Sequence, residues 1–223
     1  MAADNLIGIW GMGAPTRNPF NYAKFQQIDR DIATEWLTLA EITQQLNLFD
    51  DESQDDYLSS LELATRMAIE DFLGLSIFPV SYRVWYNAAS LFGVPLTLDL
   101  PEVSQNYTSS QAGVTVNAVK YWDDNTPPVL HTLAIDTYYY DPSGNKVVLQ
   151  NLPTELNQSM TSPVLCEYTT AANPIAQYPV IKQAGLLLLT HLYNNRSDTT
   201  DNQLKNIPFG VQTLLRPYKP LVM

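Results

Sequence analysis

The sequence predicts an α+β fold: an α-helical bundle built from the N- and C-terminal segments, with an antiparallel β module inserted between them. Three observations predict it. Apolar residues recur at helical spacing between Thr38 and Leu75, the period drops to two between about residues 77 and 172, and the helical period returns after Pro174. A chain of 223 residues is long enough to bury a sizeable core as one domain with a large insertion.

Residues 1–36 show no sustained period. Gly8, Gly11, Gly13, Pro15 and Pro19 interrupt the aromatics Trp10, Phe20, Tyr22 and Phe25, which reads as an arm that packs on something else. The first helical part covers residues 37–76. Thr38-Leu-Ala-Glu41 forms a capping box ahead of a short helix. The acidic link Asp50 to Asp56 then suits the dipole of a second helix, which ends at Gly74. The face predicted for that helix holds Leu58, Leu61, Ala64, Thr65, Ala68 and Phe72. The acidic link lacks the ligand spacing of a calcium loop, so it reads as a solvated capping run.

The inserted β module covers residues 77–173. IFPVSYRVWYN, VPLTLDL, VTVNAVKYW, TLAIDTYYYD, KVVLQNL and PVLCEYTT are its strands, and Asp141-Pro-Ser-Gly144-Asn turns the fourth into the fifth. Its Tyr138-Tyr139-Tyr140 run and Trp122 admit a sugar-stacking platform, although half-buried aromatic strand positions are the commoner explanation. Residues 174–205 hold a central helix and a polar loop. Ile181, Ala184, Gly185, Leu188, Leu192 and Asn195 share one stripe, and Leu186, Leu187 and Leu189 make the helix apolar nearly all round. Such a helix is buried in its own domain or against a neighbouring subunit, with Ile181, Leu186, Leu187, Leu188, Leu189, Leu192 and Tyr193 as packing residues. The apolar run from Ala184 to Leu189 is far below the roughly 20 residues a bilayer requires, which excludes a membrane anchor. Residues 206–223 form a last short segment and an apolar tail.

The net charge is −11, from 12 Lys+Arg against 23 Asp+Glu. Such a chain repels a phosphate backbone, which argues against tight nucleic-acid binding but not against a surface that DNA slides past. The start of the chain lacks a basic n-region, so folding in a reducing cytoplasm is expected. Cys166 sits in an alternating stretch and reads as a small buried hydrophobe. His131 and His191 belong to no recognisable cluster and read as structural histidines. No catalytic, cofactor-binding or metal-ligating motif is present in the sequence, and carboxylates alone do not make a glycosidase pair. The chain reads as a binding or structural protein, not an enzyme.

Two blocks carry a resemblance. "LTLAEITQQL … DDYLSSLELATRMAIEDFLGLSI" and "PVIKQAGLLLLTHLYNNRSD … IPFGVQTLLRPYK" resemble the two ends of bacteriophage head–tail connector (adaptor, head-completion) proteins of the gp6-like and phiE125-type families. The matching positions in the second block include Pro179, Ile181, Lys182, Gln183, Ala184, His191, Tyr193, Asn195 and Arg196, then Pro208, Gly210, Val211, Leu214 and Leu215. The β module matches only in strand pattern, and the first 36 residues precede the usual start of such proteins.

The resemblance implies a structural adaptor without a cofactor, assembled in the host cytoplasm into the virion neck. It would form a homo-oligomeric ring, a dodecamer following the portal, that extends the DNA channel during packaging and ejection. The tail or the next neck protein would dock on it. It also implies that the C-terminal segment binds the portal, through Pro208, Phe209, Leu214, Leu215, Arg216, Pro217, Tyr218, Lys219, Pro220, Leu221, Val222 and Met223. The alternatives are a carbohydrate-binding or depolymerising virion protein, or a neck or tail-completion ring that does not touch the portal.

Overall fold

The computed structural model describes residues 20–48, 52–91, 93–104, 113–195 and 209–219, with the backbone alone at Ser90 and Phe209. In chain order the elements are β1 (Tyr22–Arg30), α1 (Leu39–Leu46), α2 (Asp55–Leu73), β2 (Val80–Tyr86), β3 (Leu96–Asp99), β4 (Val114–Trp122), β5 (Leu130–Thr132), β6 (Tyr138–Asp141), β7 (Lys146–Leu149), β8 (Val164–Thr170), α3 (Pro179–Asn194) and α4 (Phe209–Leu215). The class is α+β, as the sequence predicts. Every strand pairing is antiparallel. Five strands form one sheet in the order β1-β2-β8-β4-β5, and three form a second in the order β3-β7-β6.

Two hydrophobic cores result. One joins the helices: Trp36 and Leu37, Ile42 of α1, Leu58, Ile69 and Leu73 of α2, Ile181, Ala184, Leu188 and Leu189 of α3, and Val211 and Leu215 of α4. The other fills the β module, with Val80, Tyr82, Val84 and Tyr86 of β2 and Val164, Cys166 and Tyr168 of β8 at its centre. In β2 burial alternates strictly, as its period of two requires. Each fully buried Leu or Ile contributes about 1.5–3 kcal/mol relative to exposure.

The helix ends follow their sequence signals. The amide of Glu41 donates to Thr38 Oγ1 (3.3 Å), and the amide of Thr38 donates to Glu41 Oε2 (2.9 Å). Gly74 closes α2 in the left-handed region, at φ 68°. Asp55 and Asp56 occupy the first turn of α2, where negative charge opposes the positive helix end.

The structure differs from the sequence expectation in four places. Tyr22–Arg30 is a strand paired along β2, so this part of the expected arm belongs to the β module. Trp36, also in that arm, is a core residue of the helical bundle. The buried face of α2 is rotated from the predicted one: Ala64 is exposed, whereas Glu62, Arg66 and Glu70 are buried. Finally, of the two burials expected for α3, in its own domain or against a neighbouring subunit, the chain itself supplies only part. Its Ile181, Ala184, Gly185, Leu188 and Leu189 are buried by α1, α2, α4 and the Trp36–Leu37 segment. Leu187 remains 39% exposed, because nothing among the described residues lies over that side.

Candidate assembly surfaces

Three charged residues of α2, spaced one turn apart, fasten the β1–α1 connection onto the helical bundle. Glu62 Oε1 accepts the amides of Trp36 (3.1 Å) and Leu37 (3.3 Å). Arg66 donates to the carbonyls of Thr34 (2.7 Å) and Asp31 (2.6 Å), and its guanidinium lies 4.8 Å from the centre of the Phe78 ring. Glu70 accepts the amide of Ile77 (2.7 Å) with Oε1 and pairs with Arg30 through Oε2. Burial pushes the Glu62 carboxyl upward against the opposing pull of these amides and of Arg66. This ladder satisfies backbone groups that the connection would otherwise bury without partners.

The last described elements dock on α3 and α2. Val211 and Leu215 are buried, the Tyr218 ring lies 5.6 Å from that of Tyr178, and Lys219 Nζ sits 5.2 Å from the centre of the Phe72 ring. Beside them, Phe72, Gln212, Thr213, Arg216 and Lys219 line a cleft of about 320 Å³. The predicted portal-binding set therefore divides. Leu215 serves the core, Leu214 and Tyr218 pack against it in part, and Arg216, Pro217 and Lys219 are exposed. Pro208, Pro220, Leu221, Val222 and Met223 lie outside the described residues, as does the side chain of Phe209.

On α3 and its approach, Tyr178, Val180 and Leu187 are exposed. Leu186, Leu192 and Tyr193 pack against the helical core in part, and Tyr193 Oη donates to Gln54 Oε1 (3.0 Å). His191 sits at the end of α3, where Asn195 Nδ2 donates to its carbonyl oxygen (2.7 Å). Arg196 lies outside the described residues.

At the far end of the β module, buried Asp123 organises a proline-containing loop. Its carboxylate accepts the Val129 amide (2.7 Å), is bonded by Asn125 Nδ2 (2.5 Å) and meets His131 Nε2 (2.8 Å). The Val129 hydrogen bond foremost, with those of His131 and Asn125, holds the Asp123 carboxyl down at about 2. Val129, Leu130 and Ile135 are exposed nearby.

The other sequence candidates fall into structural positions. Cys166 is fully buried, and burial pushes its thiol up to about 12. Tyr138 is buried and Tyr139 exposed, so the strand alternation points successive rings to opposite faces rather than into one platform. Among the described residues no three His, Cys, Asp or Glu side chains are grouped to hold a metal ion, and no helix is long and apolar enough to cross a membrane.

No family model and no curated protein matches the sequence. Solved structures do match. A chain in the neck of an empty GTA particle, computed with C6 symmetry, superposes with a TM-score of 0.61 at 22% identity, covering 90% of this chain and 97% of the other. A chain of the native gene transfer agent (GTA) virion gives 0.60 at 21%, covering 89% and 96%. A third, from the native GTA neck computed with C12 symmetry, gives 0.58 at 19%, covering 90% and 97%. The fold is that of these three chains. The similarity spans both the helical bundle and the β module, because it takes in nearly the whole of each chain.

Proposed function

We propose that this chain is a structural neck protein of a phage-like particle: a head–tail adaptor that forms a ring below the portal and extends the DNA channel. The observation that carries this reading is near-complete overlap with chains from particle necks, one of them computed with C12 symmetry. Two features of the chain support it. The exposed apolar side of α3, with Val180 and Leu187, offers a contact for a neighbouring subunit. A net charge of −11 suits a lumen through which DNA passes without being held.

In this reading the portal is met by the exposed part of the C-terminal segment: Arg216, Pro217, Lys219 and the tail Pro220–Met223. The sequence there, apolar and holding Pro217 and Pro220, suits insertion into a groove of a partner. Truncation after Lys219 tests it while keeping the Tyr178–Tyr218 and Phe72–Lys219 contacts. Pull-down by portal should be lost with the melting temperature unchanged; undiminished portal binding would sink the tail assignment. Capture by another neck protein, but not by portal, would favour a ring lower in the neck.

A further inference from the structure

Most described cations are neutralised within the chain: Arg30, Arg83, Lys120, Lys146 and Lys182 each hold a carboxylate. Arg66 is turned to backbone carbonyls, and Lys24 lies over the Trp85 ring. Arg216 and Lys219 differ. Both are exposed, neither has an ion pair among the described residues, and both line the cleft of about 320 Å³ walled by Phe72. In a chain with 23 Asp+Glu against 12 Lys+Arg, two cations left together in this way suit an anionic surface from outside the subunit. The chain itself carries a matching surface at the other end of α2. Glu52 and Asp56 are exposed there, and neither has a cation partner among the described residues. The spacings correspond. Glu52 and Asp56 are four residues apart, and Arg216 and Lys219 are three apart across a 3-10 turn, in which the Lys219 amide donates to the Arg216 carbonyl (3.3 Å). Each pair therefore stands about one turn apart.

We propose that the Arg216–Lys219 cleft of one copy receives Glu52 and Asp56 of the adjacent copy. This rests on the ring reading above and narrows the portal contact to Pro217 and the tail after Lys219. The same chain cannot make the contact with itself. Asp56 and Phe72 stand near opposite ends of one unbroken helix, sixteen residues or about 24 Å apart along its axis. A second copy can, because every copy offers both surfaces and uses each once. Such a contact is head-to-tail, the type that generates a closed ring when its rotation closes. Tyr57, 38% exposed beside Asp56, brings an aromatic ring to the junction. Isolated exposed ion pairs hold little by themselves. Complementary pairs instead decide which surfaces meet, and they make assembly sensitive to salt.

The test exchanges charges in the full chain and follows assembly by mass photometry. Reversing the cleft with Arg216→Glu and Lys219→Glu should raise the concentration needed for half-assembly at least tenfold. Reversing the turn with Glu52→Lys and Asp56→Lys should do the same. An equal mixture of the two variants should restore rings, as should a chain carrying all four substitutions, because each junction again joins opposite charges. Damage to the fold cannot produce that restoration. If a double variant unfolds, Arg216→Glu against Asp56→Lys repeats the exchange. Unchanged assembly of either reversed variant, or loss without restoration, overturns the contact and leaves the ring reading standing. Normal rings with a reversed cleft that portal no longer captures overturn it in favour of a portal contact through Arg216 and Lys219. Failure of the unaltered chain to form any ring at high concentration overturns the ring reading itself, and this contact with it.

Discussion

Gly185 shows how a single residue can be fixed by a partner far away in sequence. A Cβ there would lie 2.7 Å and 2.8 Å from two carbons of the Trp36 ring, and Trp36 is itself held by a hydrogen bond from Nε1 to the Ala176 carbonyl (3.1 Å). Gly185→Ala should therefore destabilise the fold by about 1–3 kcal/mol, despite the better helix propensity of alanine. Chemical denaturation measures this, and a stabilised variant would show that the Trp36 ring can move aside. Arg66→Ala should cost about 3 kcal/mol or more, because two carbonyls lose a charged donor and Glu62 loses its neighbouring cation. Asp123 makes a pH prediction. Its folded pKa, about 2, lies below the unfolded value near 3.9, so its stabilisation is complete above that value and is lost as the pH falls toward 2. An NMR titration of the Val129 amide should follow this low midpoint; a midpoint near 4 would show that the carboxylate is not held as described. The sequence marks Gly185 only as a member of an apolar stripe. It gives no sign of Asp123, because both its role and its partners arise where β4 and β5 meet.

At the scale of the element, α1 and α2 were legible because their signals are local. Thr38 and Glu41 are three residues apart, and Gly74 directly follows the last helical turn. Strand β2 was legible because it alternates strictly between a buried and a less buried face, and β8 does so from Cys166 onward. Strand β1 was not. YAKFQQIDR is exposed on nearly every residue, so no burial imposes a period on it, and only the ladder with β2 makes it a strand. Helix α3 was legible as a helix, but its composition could not show which side stays open. Leu187→Asp places a charge on that side. It should leave the subunit's stability within about 0.5 kcal/mol, as for other exposed positions, and it should shift assembled material to monomers in mass photometry. Rings of unchanged mass would place the subunit contact elsewhere.

For the molecule as a whole, charge and architecture make separate statements. A chain of net charge −11 should give no retained DNA complex in a mobility-shift measurement even at low salt, where basic contacts bind most strongly. Retention would point to a local basic surface and weaken the channel reading. The two cores meet where the Glu62, Arg66 and Glu70 ladder holds the segment leading from β1 to α1, so the β module is tied to the bundle before α1 as well as after α2. That tie was not legible, because charged residues on a helix are expected at its solvated side. By itself the sequence determined the fold class, the helix caps, most strands and the absence of a spanning apolar run, all of which depend on spacing within a few residues. The tertiary structure alone decided that β1 joins the sheet, that three charges of α2 turn inward, and that Leu187 stays uncovered among the described residues. Each of those depends on partners remote in sequence, whose proximity only the packed chain creates.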